Sequence, residues 1–96
     1  MHNTQMIITF ETKPEMAASF AALLEQVKRD LPAVPGCRSV RLFAASGNPC
    51  VFMLLEDWES ASQHQHHIDT VVSSGAWATL AAHLAKEPVS HYYTER

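Results

Sequence analysis

Histidine is concentrated in one short part of the chain, where His64, His66 and His67 follow Trp58. A neutral imidazole, with a pKa of about 6.5, can remove a proton from a phenolic substrate. We therefore predict that His67 is the catalytic base or orienting group, and that His64, which would share its helix face, helps to bind the substrate. Two alternatives stay open. His67 could pack on a strand and bond to backbone, or His64 could point inward while His67 points to water.

The same histidines could instead bind a metal ion. Catalytic zinc sites usually combine three protein ligands, often including an acidic one. No third ligand stands at a suitable spacing from His64 and His67. The sequence therefore predicts no metal site here and indicates an exposed polar helical turn.

Three further side chains are candidates for substrate binding. Trp58 could form a stacking wall for a flat aromatic ligand, or could plug the end of the sheet. Tyr93 lies in the last predicted strand, where either packing or ligand contact is possible. Arg41 shares a strand face with Phe43, and a buried arginine needs a partner. We expect it to pair with an acidic residue such as Glu56 or to contact an anionic ligand.

The strand that leads to Trp58 sets the expected architecture. Every residue from 51 to 55 is apolar, whereas a strand with one buried face alternates apolar and polar residues. Both faces of this strand should therefore be covered. Directly after it, Ser60 and Gln63 form the capping-box pattern of a helix start.

The rest of the chain supplies the partner elements. Hydrophobic periodicity and turn residues predict the order strand, helix, strand, strand, helix, strand. The strands cover 5–11, 37–45, 51–55 and 89–94. The first helix covers 14–31, and the second begins at 60, is interrupted at 73–75 and resumes over 76–84. This is an α+β fold of the ferredoxin-like, split βαβ type, with an antiparallel sheet and helices on one face. The uncovered sheet face would be apolar, so we expect a homodimer joined through sheet faces.

Composition limits the class of protein. The chain has 96 residues, 47% of them hydrophobic and 18% charged, with a net charge of −3. These values predict one folded domain over residues 1–96 and argue against a nucleic-acid or anionic-membrane binder. The start of the chain has no signal-peptide pattern and no apolar run is long enough to span a membrane, so we expect a cytoplasmic protein.

The two cysteines, Cys37 and Cys50, flank one predicted hairpin. With its turn near residues 46–48, Cys37 would lie opposite about Trp58 and Cys50 opposite about Ala45. That separation is too large for a disulfide. We expect free, mostly buried thiols.

Several of these residues also resemble the antibiotic biosynthesis monooxygenase superfamily. The matching pattern comprises Pro35-Gly36-Cys37, the run from Phe52 to Ser60 with Glu56 and Trp58, and then His67 and Thr70. The resemblance implies a dimeric α+β barrel that needs no cofactor. Family members often carry a second histidine and then an aromatic residue where this chain has Val72 and Ser73. Haem-degrading members use an Asn and a Trp at positions that align with Ile7 and His67.

The resemblance implies a cofactor-independent monooxygenase that acts on a small aromatic or quinol-like compound. His67 would be the base and Trp58 the wall of a dry cavity. An alternative on the same fold is a non-enzymatic dimeric binding or stress-related protein, because a fold does not fix a function. Haem degradation is a weaker alternative.

Overall fold

The computed structural model describes residues 3–96 and shows the predicted α+β fold. The first two residues, where the predicted domain begins, lie outside this range. The strands are β1 (Thr4–Glu11), β2 (Cys37–Ala44), β3 (Val51–Trp58) and β4 (Val89–Tyr93), and the helices are α1 (Ala17–Asp30), α2 (Ala61–Ser73) and α3 (Ala76–Ala81). The strands form one antiparallel sheet in the order β2-β3-β1-β4, with the helices packed on one face. Among the described residues, no helix has the length and apolarity needed to cross a membrane.

Proline and glycine explain where the helices differ from their predicted bounds. The first predicted helix is divided into α1 and two flanking 3-10 turns, Pro14–Met16 and Leu31–Ala33. A proline in each turn removes a backbone donor and favours a helix end. Gly75 adopts a φ of +86° between α2 and α3, a conformation that suits glycine.

The start of α2 follows the predicted capping pattern. The Ser60 hydroxyl accepts a hydrogen bond from the backbone N–H of Gln63 at 3.3 Å. This bond satisfies one of the free donors of the first helical turn. The predicted helix start at Ser60 is confirmed, and this cap fixes which side chains of the following helix face the sheet.

The strand β3 is longer than predicted and separates two different environments. Phe52, Leu54, Glu56 and Trp58 point to the helices and are buried, whereas the alternate residues from Val51 to Leu55 are half-buried on the opposite, outer face. The prediction that both faces are apolar is correct from Val51 to Leu55. In a single chain only the inner face is covered.

Two hydrophobic clusters occupy part of the space between the inner sheet face and the helices. In the larger cluster the rings of Phe10 and Phe20 meet edge to face at 5.1 Å, and Phe52 packs beside them. The smaller cluster surrounds Trp58, which is fully buried. These aromatic contacts hold α1 against the sheet and fix the distance between the two layers.

The cysteine prediction is also confirmed. Cys37 pairs with Trp58 across β2 and β3, and Cys37 and Cys50 are both free. Cys37 is buried and Cys50 half-buried. Burial among apolar groups raises the pKa of the Cys37 thiol to about 11, with a further contribution from the charge of Glu56.

A glycine substitution tests the contact between the loop before β2 and α2. Gly36 has a φ of +92°, and a Cβ there would lie 2.6 Å from Gln63 Cδ and 2.8 Å from Gln63 Cβ. Because Gln63 Cβ cannot rotate away, Gly36→Ala should lose about 1–2 kcal/mol from backbone strain and roughly 1–3 kcal/mol more from overlap. Urea denaturation would measure the loss.

Gly47→Ala is the matched control for this prediction. Gly47 has a similar φ of +82°, but a Cβ there would meet nothing within 4 Å. It should lose only the strain contribution, about 1–2 kcal/mol. Equal losses in the two variants would contradict the proposed contact between Gly36 and Gln63.

Candidate active site

A cavity of about 480 Å³ lies between the inner sheet face and the helices. Its size falls within the range of about 300–1,000 Å³ that is typical of small-molecule sites. Most of its walls are apolar and come from β1, α1, β3, α2 and α3. They include Met6, Ile8, Phe10, Val27, Leu31, Leu54, Ile68, Val71, Trp77 and Leu80.

One end of this cavity is polar and is built around Glu56. The Glu56 side chain points inward because it alternates with Leu54 and Trp58 along β3, and the residue is only 6% exposed. Its Oε1 atom accepts a hydrogen bond of 2.9 Å from Trp58 Nε1. The indole therefore fixes the orientation of the carboxyl group.

The helix α2 brings His64 over this carboxyl group. His64 is 5% exposed, and its Nε2 atom lies 3.8 Å from Glu56 Oε1. Its Nδ1 atom lies 2.7 Å from the hydroxyl of Tyr92, which β4 presents on the inner side of the sheet. With the tyrosine hydroxyl donating to Nδ1, the Nε2–H group is directed towards Glu56. We call Glu56, Trp58, His64 and Tyr92 the polar network.

His67 lies one helical turn beyond His64 and also lines the cavity. It is half-buried, and its ring lies 5.7 Å from the Trp58 ring at an interplanar angle of 32°. Both histidines therefore face the cavity. His64 is the deeper of the two, and its ring meets Trp58 edge to face.

Burial controls the protonation of these groups. It lowers the pKa of His64 to about 4, assisted by the nearby His67, and it also lowers the pKa of His67. Both imidazoles are therefore neutral near pH 7. Burial raises the pKa of Glu56, although the hydrogen bond from Trp58 opposes this effect. The pKa of Tyr92 is raised by burial and by the charge of Glu56.

The structure brings three of the predicted site residues together, namely Trp58, His64 and His67. His64 and His67 line the cavity. Trp58 is fully buried and does not line it, so the predicted stacking wall is wrong and Trp58 packs in the core at the end of the sheet. Arg41 and Tyr93 lie on the outer face of the sheet, away from the cavity. Arg41 pairs with Leu55 in the β2–β3 register, and its guanidinium carbon lies 5.0 Å from the centre of the Phe43 ring. The expected ion pair between Arg41 and Glu56 is wrong, because the two side chains point to opposite faces.

Tyr92 is the functional candidate that the sequence analysis missed, and Glu56 was assigned the wrong partner. The available signal was strand alternation. Glu56 stands two residues before Trp58 and so shares its face, while Tyr92 and Tyr93 must point to opposite faces. Across residues 3–96, no group of three His, Cys, Asp or Glu residues is arranged to hold a metal ion.

The fold and cavity define a small ferredoxin-like α+β domain with a ligand-sized space beneath its helices. The family model described as antibiotic biosynthesis monooxygenase matches residues 5–78. The chain therefore belongs to the antibiotic biosynthesis monooxygenase family. Among curated protein sequences, none matches this chain.

Solved structures agree with this assignment of the fold. A conserved protein from Methanosarcina mazei Go1 has a TM-score of 0.86 at 21% identity, covering 100% of this chain and 95% of its own. Rv0793 from Mycobacterium tuberculosis has a TM-score of 0.84 at 19% identity, covering 98% and 95%. A structure named antibiotic biosynthesis monooxygenase has a TM-score of 0.85 at 18% identity, covering 97% and 98%. At these identities the likeness establishes the fold.

The pKa of His64 predicts a pH dependence of stability. Its folded value of about 4 is below the ordinary value of 6.5. Between these values the unfolded chain binds a proton that the folded chain does not, so stability rises with pH and is lost as pH falls through this window. Glu56, with its raised pKa, acts in the opposite direction. Wild type should therefore lose on the order of 3 kcal/mol of stability as the pH falls through this window, and a variant without His64 should be spared that loss.

Urea denaturation of wild type and His64→Gln, at several pH values across this window, measures the difference. The exposed His66 lies on the same helix, and His66→Gln is the control that should keep the wild-type slope. An identical pH slope in wild type and His64→Gln would contradict a buried, neutral His64.

Proposed function

We propose that the protein is a cofactor-independent monooxygenase acting on a small aromatic or quinol-like compound. The observation that carries this proposal is the apolar cavity whose one polar end combines a buried carboxyl group with two neutral histidines. Membership of the antibiotic biosynthesis monooxygenase family supports the same class of reaction. The apolar walls suit a flat ring, and the polar end suits its hydroxyl groups.

The proposed reaction converts a phenol with a free para C–H bond, plus O₂, into a quinone plus water. A base removes the phenolic proton, and the electron-rich phenolate gives an electron to O₂. The resulting radical pair forms a C–O bond at the para carbon, which gives a peroxide. Loss of the para proton and cleavage of the O–O bond then yield the second carbonyl group and a hydroxide that takes up a proton. The ring loses two hydrogens, and both appear in the water.

His67 is the proposed base. Its ring nitrogens have no hydrogen-bond partner among residues 3–96, whereas His64 Nδ1 is engaged by Tyr92. Its lowered pKa leaves it neutral and able to accept a proton. The imidazolium that forms would lie beside the Trp58 ring, whose π-electrons stabilise a cation. In this proposal His64 is a positioning residue that holds the polar network in place.

The structure favours this proposal over the two alternatives. An apolar cavity lined by His67 and not filled by side chains supports the enzyme over a non-enzymatic dimeric binding protein, although Trp58 does not line it. For haem degradation, the position that aligns with the catalytic Asn holds Ile7. Ile7 lies on the outer face between Leu55 and His91, while Met6 and Ile8 line the cavity.

Replacement of His67 tests the assignment of the base. With His67→Gln, oxygen consumption on a phenol with a free para C–H bond, such as the enol form of an anthrone-like compound, should fall by about 10²-fold or more, with folding intact. An oxygen electrode measures the rate and circular dichroism checks the fold. His66→Gln, on the exposed side of α2, should keep the wild-type rate. If His64→Gln abolished turnover while His67→Gln did not, the base would be His64.

We also propose that two copies join through their outer sheet faces. Apolar side chains from three strands form adjacent rows on this face, in which Leu55 pairs with Ile7 and Met53 pairs with Phe43. Tyr93 and Val89 extend the face along β4 and are exposed in the single chain. An apolar face of this kind is a common site of two-fold self-association.

A charge placed in the centre of this face tests the dimer. Wild type at micromolar concentration should sediment at twice the chain mass of 10.7 kDa. Met53→Asp should give folded monomer, because pairing would bury two unpaired carboxylates. Ala22→Asp, at an exposed position on α1, is the control that should remain dimeric. Sedimentation of wild type only at the monomer mass would refute the dimer.

A further inference from the structure

The described residues that line the cavity include an acidic side chain but no lysine or arginine. That side chain belongs to Glu56, which is the sole carboxylate among these residues. Arg41, the strand residue considered for binding an anion, faces the other side of the sheet. The histidines that complete the polar end are neutral near pH 7 because burial lowers their pKa values. Whenever Glu56 is ionised, an anionic ligand would thus meet a negative charge without a compensating cation.

The two oxygens of Glu56 have different roles. Oε1 accepts the hydrogen bond from Trp58 and faces His64. Oε2 has no hydrogen-bond partner within residues 3–96. Among the described residues, Thr12 Oγ1 is the one side-chain nitrogen or oxygen atom that is fully enclosed and lacks a hydrogen-bond partner. Glu56 Oε2 also lacks a partner but is not fully enclosed, so it borders open space. Since Glu56 lines the cavity, that space is where a ligand would lie.

We propose that Glu56 determines ligand specificity, because its free Oε2 binds a hydroxyl group of an uncharged aromatic ligand and its charge excludes aromatic carboxylates. The inference rests on the proposed function and narrows its substrate class to uncharged hydroxylated aromatics. A ligand hydroxyl would satisfy an oxygen that is otherwise largely removed from water. A ligand carboxylate at the same place would instead put two like charges together in an apolar cavity.

The neighbours of Glu56 indicate how far its charge acts. The same carboxylate contributes to the raised pKa of Tyr92 on the cavity side and of Cys37 on β2. Its effect is therefore felt across the polar end of the cavity. The ligand would then be held at two points. One hydroxyl group contacts His67, the proposed base, and a second hydroxyl group or the adjoining end of the ring contacts Glu56.

Binding measurements under nitrogen test the inference without any turnover. The probes are 2-naphthol, its methyl ether and 2-naphthoate, which share one ring system, and calorimetry at mildly alkaline pH measures the affinities. Wild type should bind 2-naphthol at least about 10-fold more tightly than either other probe. In Glu56→Gln, which keeps an acceptor for Trp58 Nε1, the affinity for 2-naphthoate should rise by about 10-fold or more.

Glu59→Gln is the matched control, because it removes the same charge from an exposed residue just before α2. It should leave all three affinities as in wild type. Equal binding of 2-naphthol and its methyl ether by wild type, or unchanged binding of 2-naphthoate in Glu56→Gln, would overturn the inference. Should Glu56→Gln not fold, the order of the three affinities in wild type decides alone.

The test of the specificity role of Glu56 can fail or succeed independently of the test of the monooxygenase activity. The predicted order of affinities combined with no oxygen consumption on any phenol would reject the monooxygenase and keep the specificity role of Glu56. Oxygen consumption that is equally fast on neutral and carboxylated phenols would keep the monooxygenase and reject this role.

Discussion

The buried carboxyl group of Glu56 is the constraint on which the inner face of this protein depends. A carboxylate removed from water is unfavourable unless hydrogen bonds replace its hydration. Trp58 supplies one such bond because residues two apart on a strand share a face. His64 approaches from the helix and Tyr92 holds the other side of that imidazole. One acidic residue on β3 thus contacts the rings of Trp58 and His64, and through His64 it is linked to the ring of Tyr92 on the last strand.

The position of β3 within the sheet explains why one strand can serve both the cavity and the outer face. The strand β3 lies between β2 and β1, so its backbone groups can be paired on both sides. It has no exposed edge to protect, and the side chains of both faces are free for other roles. Its inward residues then form the floor of the cavity, while its outward residues form the centre of the apolar outer face. By contrast, β4 is an edge strand whose side chains are all exposed in the single chain. Tyr92 can thus border the cavity and still reach water.

The parts of the structure that sequence predicted well are those set by local rules. Ser60 and Gln63 define the start of α2 within one turn, and counting along one hairpin placed Cys37 opposite Trp58. Helix ends shifted by a few residues where prolines tighten the chain into 3-10 turns. The polar network could not be predicted in this way. His64 and Tyr92 are 28 residues apart in sequence, and their contact depends on β4 returning beside β1.

The error over Arg41 has a different physical origin. The prediction assumed that the strand face carrying Arg41 is buried. A buried arginine requires an acidic partner, and Glu56 was chosen for that role. Alternation excludes this pair, because Arg41 lies opposite Leu55, which points outward, whereas Glu56 points inward. In the single chain Arg41 is exposed beside the Phe43 ring, where its charge is hydrated and its stem covers apolar surface. A charged group at the sheet surface needs no buried partner.

The energetics of the polar network favour a role in binding or chemistry over a role in stability. Replacing a buried polar group by an apolar one of similar volume is often neutral or stabilising, so stability alone does not require an acid at position 56. The site also keeps His64 neutral, which makes folding less favourable as the pH falls below 6.5. Proteins tolerate such departures from the preferred composition of a core chiefly where function needs them. Among residues 3–96 the buried polar residues are Thr12, Glu56 and His64, and two of these, Glu56 and His64, lie at the end of the cavity where a carboxyl group, two imidazoles and a phenol meet.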